Sequence, residues 1–557
     1  MEIELKLRIP AQALDALLAD PLLQPAGKRR ASRTQLDTRY FDTPERALAQ
    51  AGIALRLRKA GRRWLQTVKS GGNAQAGLHQ REEVEFAVAG PALEWQVLDG
   101  TPFGALIEPH RARLQQQFST RFRRDIRLLT GEAGAEIELA VDQGEIQAGR
   151  RREALCELEL ELKSGPVDDL FALASELLAR HPLVLDNRSK AERGDALARD
   201  LPLAAPVKAA EPSLPPGAGA QTVARLAVAN CVAQWQANEA GFLAQSPRDP
   251  LHNPGESAAA GSGWAARRLF AANSRAIGKK SNAADRSSSA DLRQQGVMQR
   301  VPGASGDSEY LHQIRVAVRR LRVACDPLAR LAGWHPEVLD AIRKPLRQLG
   351  RHLGAARDWD VFAEETWPLL QAGIVDAALR LALDEEIAIQ RELTLRRAQA
   401  ALHGRAAQGV LLQLSRCLAQ PAYDAGPASE SESKAVLNAQ CEAYRLKLAH
   451  GAAKLESLKP QALHALRIAA KKLRYLIEFS ADLHDVAAVE PWLKWLKKVQ
   501  DLLGARNDRA TAEQRIASLC KTLDARHGKV RRRLLATLDQ HALPDMRLPP
   551  LPDAYWR

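Results

Sequence analysis

The sequence predicts an α+β protein in which a β-rich N-terminal part is followed by an all-helical part. Charged and apolar residues alternate with period two in several segments of the first 200 residues, as they do in β-strands. From about residue 220 this pattern gives way to helical periodicity rich in Ala, Leu and Arg. A basic motif in this second part then occurs twice, which indicates an internal repeat.

The first predicted strand, residues 1–9, sets the pattern for the N-terminal part. Side chains alternate across a strand, so Glu2, Glu4, Lys6 and Arg8 share one face and four apolar residues share the other. A solvated face of an antiparallel strand would explain one such segment. Recurrence elsewhere in the chain favours a functional surface.

Residues 55–58, 81–85, 136–142 and 157–163 also place acids or bases at alternate positions. Closed into a barrel, such strands would enclose a tunnel lined by both signs of charge. Carboxylates that face one another repel unless cations separate them, and clustered bases need anions. The pattern therefore predicts a site for a divalent metal and a polyphosphate. Short helices are expected at residues 11–19 and 167–179.

The N-terminal part, up to about residue 198, resembles the CYTH domain, or triphosphate tunnel metalloenzyme. The resemblance implies an antiparallel eight-stranded β-barrel with flanking helices over residues 1–200. It also implies that tripolyphosphate is cleaved to pyrophosphate and phosphate with Mg²⁺, or alternatively Mn²⁺. The motifs that carry it are Glu2-x-Glu4-x-Lys6, Tyr40-Phe41-Asp42-Thr43, Arg56-x-Arg58, Thr67-Val68-Lys69 and Glu157-x-Glu159-x-Glu161-x-Lys163.

The resemblance also assigns roles to individual residues. The expected metal ligands are carboxylates of the first and last long strands: Glu2, Glu4, Glu157, Glu159 and Glu161. The expected phosphate-binding residues are Lys6, Arg56, Arg58, Lys69, Arg81, Arg123, Arg124, Lys163 and Lys190. Strand alternation groups Arg123 with Arg121, whereas the family pattern favours Arg124, so both are included. Catalysis is expected of Lys6 and of a water-orienting carboxylate, with four candidates left open: Glu83, Glu85, Glu138 and Asp142.

The second part of the chain carries the basic excess. Residues 201–557 hold 50 Lys and Arg against 36 Asp and Glu, whereas residues 1–200 hold 30 of each. This imbalance predicts a polyanionic partner for the second part. A linker rich in Pro, Ala and Gly is expected at 201–219, a helical domain at 220–540, a disordered insertion at 246–307 and a tail at 541–557.

The repeated motif predicts two matching basic helices. His, Arg, Arg or Lys, and Arg recur at i, i+3, i+7 and i+10, first from His312 and again from His464. These positions form one stripe of a helix, and like charges there need a neutralising anion. This part resembles the CHAD domain, a bundle of two four-helix halves that binds polyphosphate. The resemblance assigns binding to His312, Arg315, Arg319, Arg320, Arg322, His464, Arg467, Lys471, Lys472 and Arg474.

Together these features predict a cytoplasmic inorganic triphosphatase that also binds long-chain polyphosphate. The alternatives are a triphosphatase for thiamine triphosphate or nucleotides, a class IV adenylate cyclase, and a non-catalytic polyphosphate- or RNA-binding protein. Nucleic acid is disfavoured because the basic stripes carry aliphatic residues where aromatic ones would stack on bases. No apolar run is long enough to predict a membrane span, and the six cysteines show no CxxC spacing.

Overall fold

The computed structural model divides the chain into two compact units, each described here by itself. Among the described residues, the first unit contains residues up to Ala205 together with His403–Ala419. The second contains Pro206–Phe242, residues 307 to 402 and residues from 427 onwards. The structure describes residues 2–24, 32–70, 73–75, 77–200, 205–244, 307–328, 334–419, 427–455, 458–522, 527–541 and 547–556. The predicted insertion at 246–307 lies outside these ranges except for Asp307.

An antiparallel sheet that curls into a half-barrel forms the first unit. The described residues contribute eleven strands to it, and its two ends, β5 and β7, are not joined. The expected antiparallel β-barrel is thus confirmed as an open, curled sheet with more than eight strands, in the order β5-β6-β1-β10-β9-β8-β2-β3-β4-β7 with β11 beside β1. The strands are β1 Glu2–Arg8, β2 Ser32–Asp42, β3 Ile53–Ala60, β4 Arg63–Ser70, β5 Asn73–Gln75, β6 Leu78–Arg81, β7 Glu83–Val88, β8 Gln115–Thr130, β9 Glu136–Ala148, β10 Arg151–Ser164 and β11 Val184–Leu185.

Helices flank the sheet, as the sequence predicted. In chain order they are α1 Leu14–Leu18, α2 Ala47–Gln50, α3 Gly104–Ile107, α4 Val167–Arg180 and α5 Lys190–Arg199. The capping box of Ser189 and Glu192 fixes the start of α5 and so the direction of its first residue, Lys190. A further helix of this unit comes from far along the chain, at Arg405–Ala419.

The second unit is built from helices. They are α6 Ala220–Ala244, α7 Asp307–Val323, α8 Pro336–Val361, α9 Trp367–Gln371, α10 Ala377–Leu402, then, after α11 Arg405–Ala419 of the first unit, α12 Pro427–Ala452, α13 Pro460–Ser480, α14 Val486–Thr522 and α15 His527–Asp539. The two copies of the basic motif lie on α7 and α13, and each is followed by a long helix, α8 or α14. Within the described ranges, no helix combines the length and the apolar character that crossing a membrane requires.

Two segments predicted as linker and tail pack against the second unit. In the linker, Val207 N donates to Asn238 Oδ1 at 2.9 Å, and Pro212 is buried. In the tail, the carbonyls of Pro549 and Asp553 accept hydrogen bonds from Trp495 and Trp492 of α14, at 2.9 and 2.8 Å. Both segments therefore contribute to the helical core.

Trp556 anchors the C-terminal segment between α12 and α14. It is 7% exposed, its ring centroid lies 4.8 Å from that of Trp492, and its Nε1 donates to Glu442. We expect Trp556→Ala to lower the free energy of unfolding by about 3 kcal/mol, because it opens a cavity and leaves the Glu442 carboxylate without this donor. Urea unfolding measures the change, and Val486→Ala, at a 77% exposed position, is the control. A change of less than about 1 kcal/mol would mean that the segment is only a tail.

Candidate functional site

A row of three carboxylates crosses the middle of the sheet. Glu4 on β1 lies directly opposite Glu161 on β10, which in turn lies opposite Glu138 on β9. Directly opposed residues of neighbouring antiparallel strands project to the same face, with Cβ atoms about 5 Å apart. Like charges in this arrangement destabilise a sheet unless a cation lies between them. We call Glu4, Glu138 and Glu161 the carboxylate row.

Cations near the carboxylate row neutralise it only in part. Lys163 Nζ lies 2.7 Å from Glu161 and 3.8 Å from Glu138, and Lys6 Nζ lies 3.5 Å from Glu4. Burial raises the pKa of Glu161 above its usual value, and Glu138 and Glu4 raise it further against the opposing effect of Lys163. Burial would also raise the pKa of Glu4, but the charges of Lys6, Lys69 and His79 together outweigh it and the pKa is lowered. The row therefore has room for more positive charge around Glu161.

A second group of carboxylates lies deeper. Oxygens of Asp142, Glu157 and Glu159 come within 4.8 Å of one another, and all three side chains are buried. We call these residues the acidic cluster. Lys190 Nζ makes ion pairs with all three, at 2.7 Å to Asp142, at 2.9 Å to Glu159 and closely to Glu157. The ammonium group of Lys190 thus lies where a metal ion could otherwise bind.

Further cations complete the neutralisation of the acidic cluster. Arg124 donates to both oxygens of Asp142 at 2.7 and 2.6 Å, and Arg193 donates to Glu157 at 3.0 Å. Burial raises the pKa values of Asp142 and Glu159, but Lys190 and Arg124, joined at Glu159 by Lys6, together outweigh it, so both pKa values are lowered. The three carboxylates are therefore ionised at neutral pH and matched by nearby cations.

The other half of the same face is mainly cationic. Tyr40, Arg56, Thr67 and Glu85 lie opposite one another across β2, β3, β4 and β7. Arg56 donates to Glu83 at 3.1 Å, and Lys69 Nζ lies 2.6 Å from the same carboxylate. Arg58 lies two residues after Arg56 on β3 and therefore projects to the same face. Burial, and then the charges of Arg56 and Arg124, lower the pKa of Arg58 to about 10.

Tyr40, the first residue of the Tyr40-Phe41-Asp42-Thr43 motif, both packs and forms a hydrogen bond within this part of the face. Its ring stacks on Phe118 with centroids 4.5 Å apart, and its hydroxyl hydrogen-bonds to Arg56. Burial raises the pKa of Tyr40, but the charges of Arg56, Arg58 and Lys190 together have the larger effect. The pKa of Tyr40 therefore lies below its ordinary value. The hydroxyl therefore lies among cations of the site. Its position opposite Arg56 in the strand pairing was the signal that could have placed it there.

In the second unit, the two basic helices α7 and α13 pack together. Burial, and after it Arg319 and Arg467, lowers the pKa of Arg315 to about 10. Burial, and after it the same two arginines, lowers the pKa of Lys471 to about 6. These shifts mean that the four cations lie close together and partly out of water. We call Arg315, Arg319, Arg467 and Lys471 the cationic groove.

A second block also repeats in the sequence, at residues 353–358 on α8 and 503–508 on α14, and it supplies carboxylates to this groove. Asp358 of α8 lies 3.7 Å from Arg315, and the charge of Asp508 of α14 acts on Arg467. Two acids face three arginines and Lys471, and Arg467 Nε is buried without a hydrogen-bond partner among the described residues. The groove therefore retains positive charge for an anionic ligand.

Both units match known families in sequence. Residues 1–194 match the CYTH domain family, and residues 296–517 match the CHAD domain family. The chain contains a CYTH domain followed by a CHAD domain.

The CYTH domain is similar to an inorganic triphosphatase of Haemophilus influenzae. The two are 33% identical over 199 residues, which make up 35% of this chain and 54% of that protein, so the chain spans about half the length of this curated relative. The solved CHAD domain of Ricinus communis is 23% identical, covering 61% of this chain and 94% of that chain, with a TM-score of 0.42. A proposed adenylyl cyclase from Hippeastrum, described as having a dominant triphosphatase activity, is 20% identical, covering 34% and 91%, with a TM-score of 0.26.

Most of the predicted CYTH residues lie on the sheet face that carries the carboxylate row and Arg56, which we call the charged face. Three predicted residues are described separately. Arg123 lies on the opposite face of β8, where it contacts Gln143 and Asp125, whereas Arg124 reaches the acidic cluster. Arg123 is therefore withdrawn as a phosphate-binding residue. The side chains of Glu2 and Arg81 lie outside the described part of the structure, although their backbones pair in β1 and β6.

Not all of the predicted CHAD residues belong to the cationic groove. Arg320 is 1% exposed and donates to Asn230 and to the carbonyl of Ala210, both at 2.8 Å. It is therefore withdrawn as a binding residue, since it is committed to the core. Lys472 contacts Tyr444 and Asp326, and Arg474 pairs with Glu478 on its own helix.

Arg322 lies towards a second basic group that sequence reasoning missed. Burial, and after it the charge of Arg347, lowers the pKa of Arg322, and Arg351 lowers it further. Both Arg347 and Arg351 lie on α8. Their spacing of four on one helix was the available signal. His312 is neutral at pH 7, because burial and then Arg357 lower its pKa to about 4. His464 lies 3.4 Å from Asn507 of the second repeated block.

Proposed function

We propose that this protein is a metal-dependent inorganic triphosphatase that hydrolyses tripolyphosphate to pyrophosphate and phosphate. The observation that carries the proposal is the partly neutralised carboxylate row on the same face of one sheet as the cations around Arg56 and Arg58. A triphosphate bears several negative charges, and its hydrolysis needs positioning and charge neutralisation more than covalent help. The similarity of the CYTH domain to an inorganic triphosphatase supports the same activity.

The carboxylate row fits a hard divalent cation. Glu4, Glu138 and Glu161 offer the oxygen ligands that Mg²⁺ prefers, and they project from neighbouring strands to the same face of the sheet. When bound, the metal would neutralise charge on the phosphate oxygens. The acidic cluster fits a metal less well, because Lys190, Arg124 and Arg193 already neutralise it. We therefore assign Glu157 to the support of Lys190 and not to the metal.

The remaining residues would hold the triphosphate. Arg56, Arg58 and Lys69 present cationic groups from β3 and β4, and Lys6 and Arg124 present theirs from the opposite part of the face. Among the four candidate water-orienting carboxylates, Asp142 is fully buried and bonded to Arg124 and Lys190, so it serves to position those cations. Glu83, Glu85 and Glu138 are the carboxylates that can contact a water.

Two residues on opposite faces of β9 give a matched test. Glu138 belongs to the carboxylate row, whereas Glu145 lies on the other face and bonds to Arg152. We expect Glu138→Gln to raise the Mg²⁺ concentration for half-maximal tripolyphosphate hydrolysis by about 10–100-fold, because a ligand oxygen loses its charge. Glu145→Gln should leave it unchanged. Phosphate release measured across a Mg²⁺ titration decides, and an equal response in both variants would contradict the assignment of the row.

We further propose that the CHAD domain binds long-chain polyphosphate in the cationic groove. Three clustered arginines, joined by Lys471 when it is protonated, repel one another unless an anion neutralises them, and polyphosphate supplies closely spaced charges along a chain. The residues assigned to it are His312, Arg315, Arg319, Arg322, His464, Arg467 and Lys471, with Arg347 and Arg351 extending the basic surface. We assign Lys472 and Arg474 a supporting role at its edge.

A further inference from the structure

Helix α11 lies within the sequence range of the CHAD match but belongs to the first unit. Its first residue, Arg405, donates to the carbonyl of Arg180 at the end of α4 at 3.2 Å. Near its own end, Arg416 donates to Asp168 in the first turn of α4 at 2.8 Å. The two helices therefore run antiparallel and are bonded at both ends. The CYTH domain of this chain thus includes a helix encoded more than 200 residues after α5.

One side chain of α11 reaches the sheet. Gln408 is completely buried, and its Oε1 atom accepts a hydrogen bond of 2.9 Å from the backbone nitrogen of Leu185. Leu185 belongs to β11, which within the described part of the chain pairs only with β1. An edge strand has backbone groups that need partners, and a buried N–H without one costs about 1–3 kcal/mol. Gln408 supplies the partner that a further strand would otherwise provide.

The segment held by Gln408 positions two lysines of the charged face. Directly after Leu185, the nitrogen of Asp186 donates to the carbonyl of Lys6 at 3.0 Å. The Asp186 carboxylate accepts from the backbone of Arg188 at 2.9 Å, and the next residues form the capping box that starts α5 at Lys190. Lys6 and Lys190 then meet at Glu159, at 3.2 and 2.9 Å. Residues 184–189 therefore fix one lysine through a strand and the other through a helix start.

We propose that Gln408 is a positioning residue of the triphosphate site, which holds segment 184–189 and through it Lys6 and Lys190. This inference rests on the proposed triphosphatase function for its kinetic consequence. It gives α11 a role in phosphate binding although no residue of α11 lies on the charged face. It also makes the proposed triphosphate hydrolysis depend on a helix that lies within the residues matched to the CHAD domain family.

The test replaces Gln408 with methionine in the full-length protein, which keeps the side-chain length and removes the acceptor. We expect the backbone amides of residues 184–189 to exchange hydrogen about tenfold faster, because a hydrogen bond of about 1.4 kcal/mol is lost there. The KM for tripolyphosphate should rise about tenfold while kcat stays within about twofold, since the lysines hold phosphate equally in the ground and transition states. Gln413→Met, a half-buried position on the same helix, should change neither value.

Loss of kcat with unchanged KM would overturn the proposal, because a merely structural role would reduce the fraction of active protein and not phosphate binding. Unchanged exchange in residues 184–189 would overturn it as well. If the wild type hydrolyses no tripolyphosphate, the proposed function fails separately. The dissociation constant for tripolyphosphate, measured by calorimetry, then replaces the KM: a tenfold weaker constant for Gln408→Met supports the proposal, and an equal constant overturns it.

Discussion

Replacing Lys190 with methionine is expected to lower the free energy of unfolding of the CYTH domain by about 3–5 kcal/mol, because three buried carboxylates lose their shared cation. Lys190 is 6% exposed, and Asp142, Glu157 and Glu159 are each 8% exposed or less. The remaining cations, Arg124 among them, cannot reach all three carboxylates as Lys190 does. We also expect kcat/KM for tripolyphosphate to fall about 100-fold, since the freed carboxylates would repel the substrate.

The loss of stability in the Lys190→Met variant should depend on pH. In the wild type the folded-state pKa values of Asp142 and Glu159 lie below those of the unfolded chain. Their contribution to stability is therefore complete above the unfolded carboxyl pKa of about 4 and is lost as the pH falls below it. Without Lys190 these pKa values rise, so the variant should lose less of its stability on acidification than the wild type does.

A second change in the Lys190→Met background separates charge from packing. Glu157→Gln removes one of the carboxylates that had shared Lys190 and should restore part of the lost free energy. Lys59→Met, on the exposed part of β3, is the control for removal of a lysine and should change stability by less than about 0.5 kcal/mol. A loss below about 1 kcal/mol for Lys190→Met, with no recovery in the double variant, would contradict the role of Lys190.

Polyphosphate binding by the CHAD domain is expected to weaken by up to about 100-fold between pH 6 and pH 8, since a coupled proton contributes at most tenfold per pH unit. Burial and then Arg319 lower the pKa of Lys471 to about 6, so its amine is largely neutral in the free groove at pH 8. A bound phosphate chain favours the ammonium form and raises this pKa. Binding therefore takes up a proton at pH 7 to 8 and needs none well below pH 6.

Calorimetry with long-chain polyphosphate, in buffers of different ionisation enthalpy, measures this proton uptake. Lys471→Arg fixes the positive charge, so it should remove the pH dependence and bind more tightly than the wild type at pH 8. Lys472→Met should keep the wild-type pH dependence, because Lys472 contacts Tyr444 and Asp326 away from the groove. Equal pH dependence in the wild type and Lys471→Arg would show that Lys471 is not the group that takes up the proton.

Strand alternation was sufficient to predict which residues share the charged face. Glu4, Glu138 and Glu161 align because side chains alternate with period two and their strands are neighbours. The same rule could not separate Arg123 from Arg124, because both faces of β8 carry charged and apolar residues. The contact of Arg124 with Asp142 and Glu159 depends on sheet order, which local periodicity does not contain.

Helical periodicity distinguishes the residues of the cationic groove from their neighbours on the same helices. Arg315, Arg319, Arg467 and Lys471 lie on the predicted stripes, whereas Arg320 and Lys472 lie about 100° away from their neighbours on the stripe. The structure buries Arg320 beside Asn230 accordingly. The placement of α11 in the first unit had no local signal, since it depends on contacts between residues more than 200 positions apart. Likewise, the sequence alone predicts the C-terminal segment as a tail, because its contacts with Trp492 and Trp495 depend on the fold.

The most direct test of the proposed function is to follow tripolyphosphate by phosphorus NMR in the presence of Mg²⁺ and the full-length protein. We predict equal amounts of pyrophosphate and phosphate as products, formed only when a divalent cation is present, with ATP and thiamine triphosphate hydrolysed more slowly. The triphosphatase assignment would be contradicted if tripolyphosphate stayed intact with either Mg²⁺ or Mn²⁺ while the protein still bound polyphosphate. Faster turnover of ATP to a cyclic nucleotide would contradict it in favour of a cyclase.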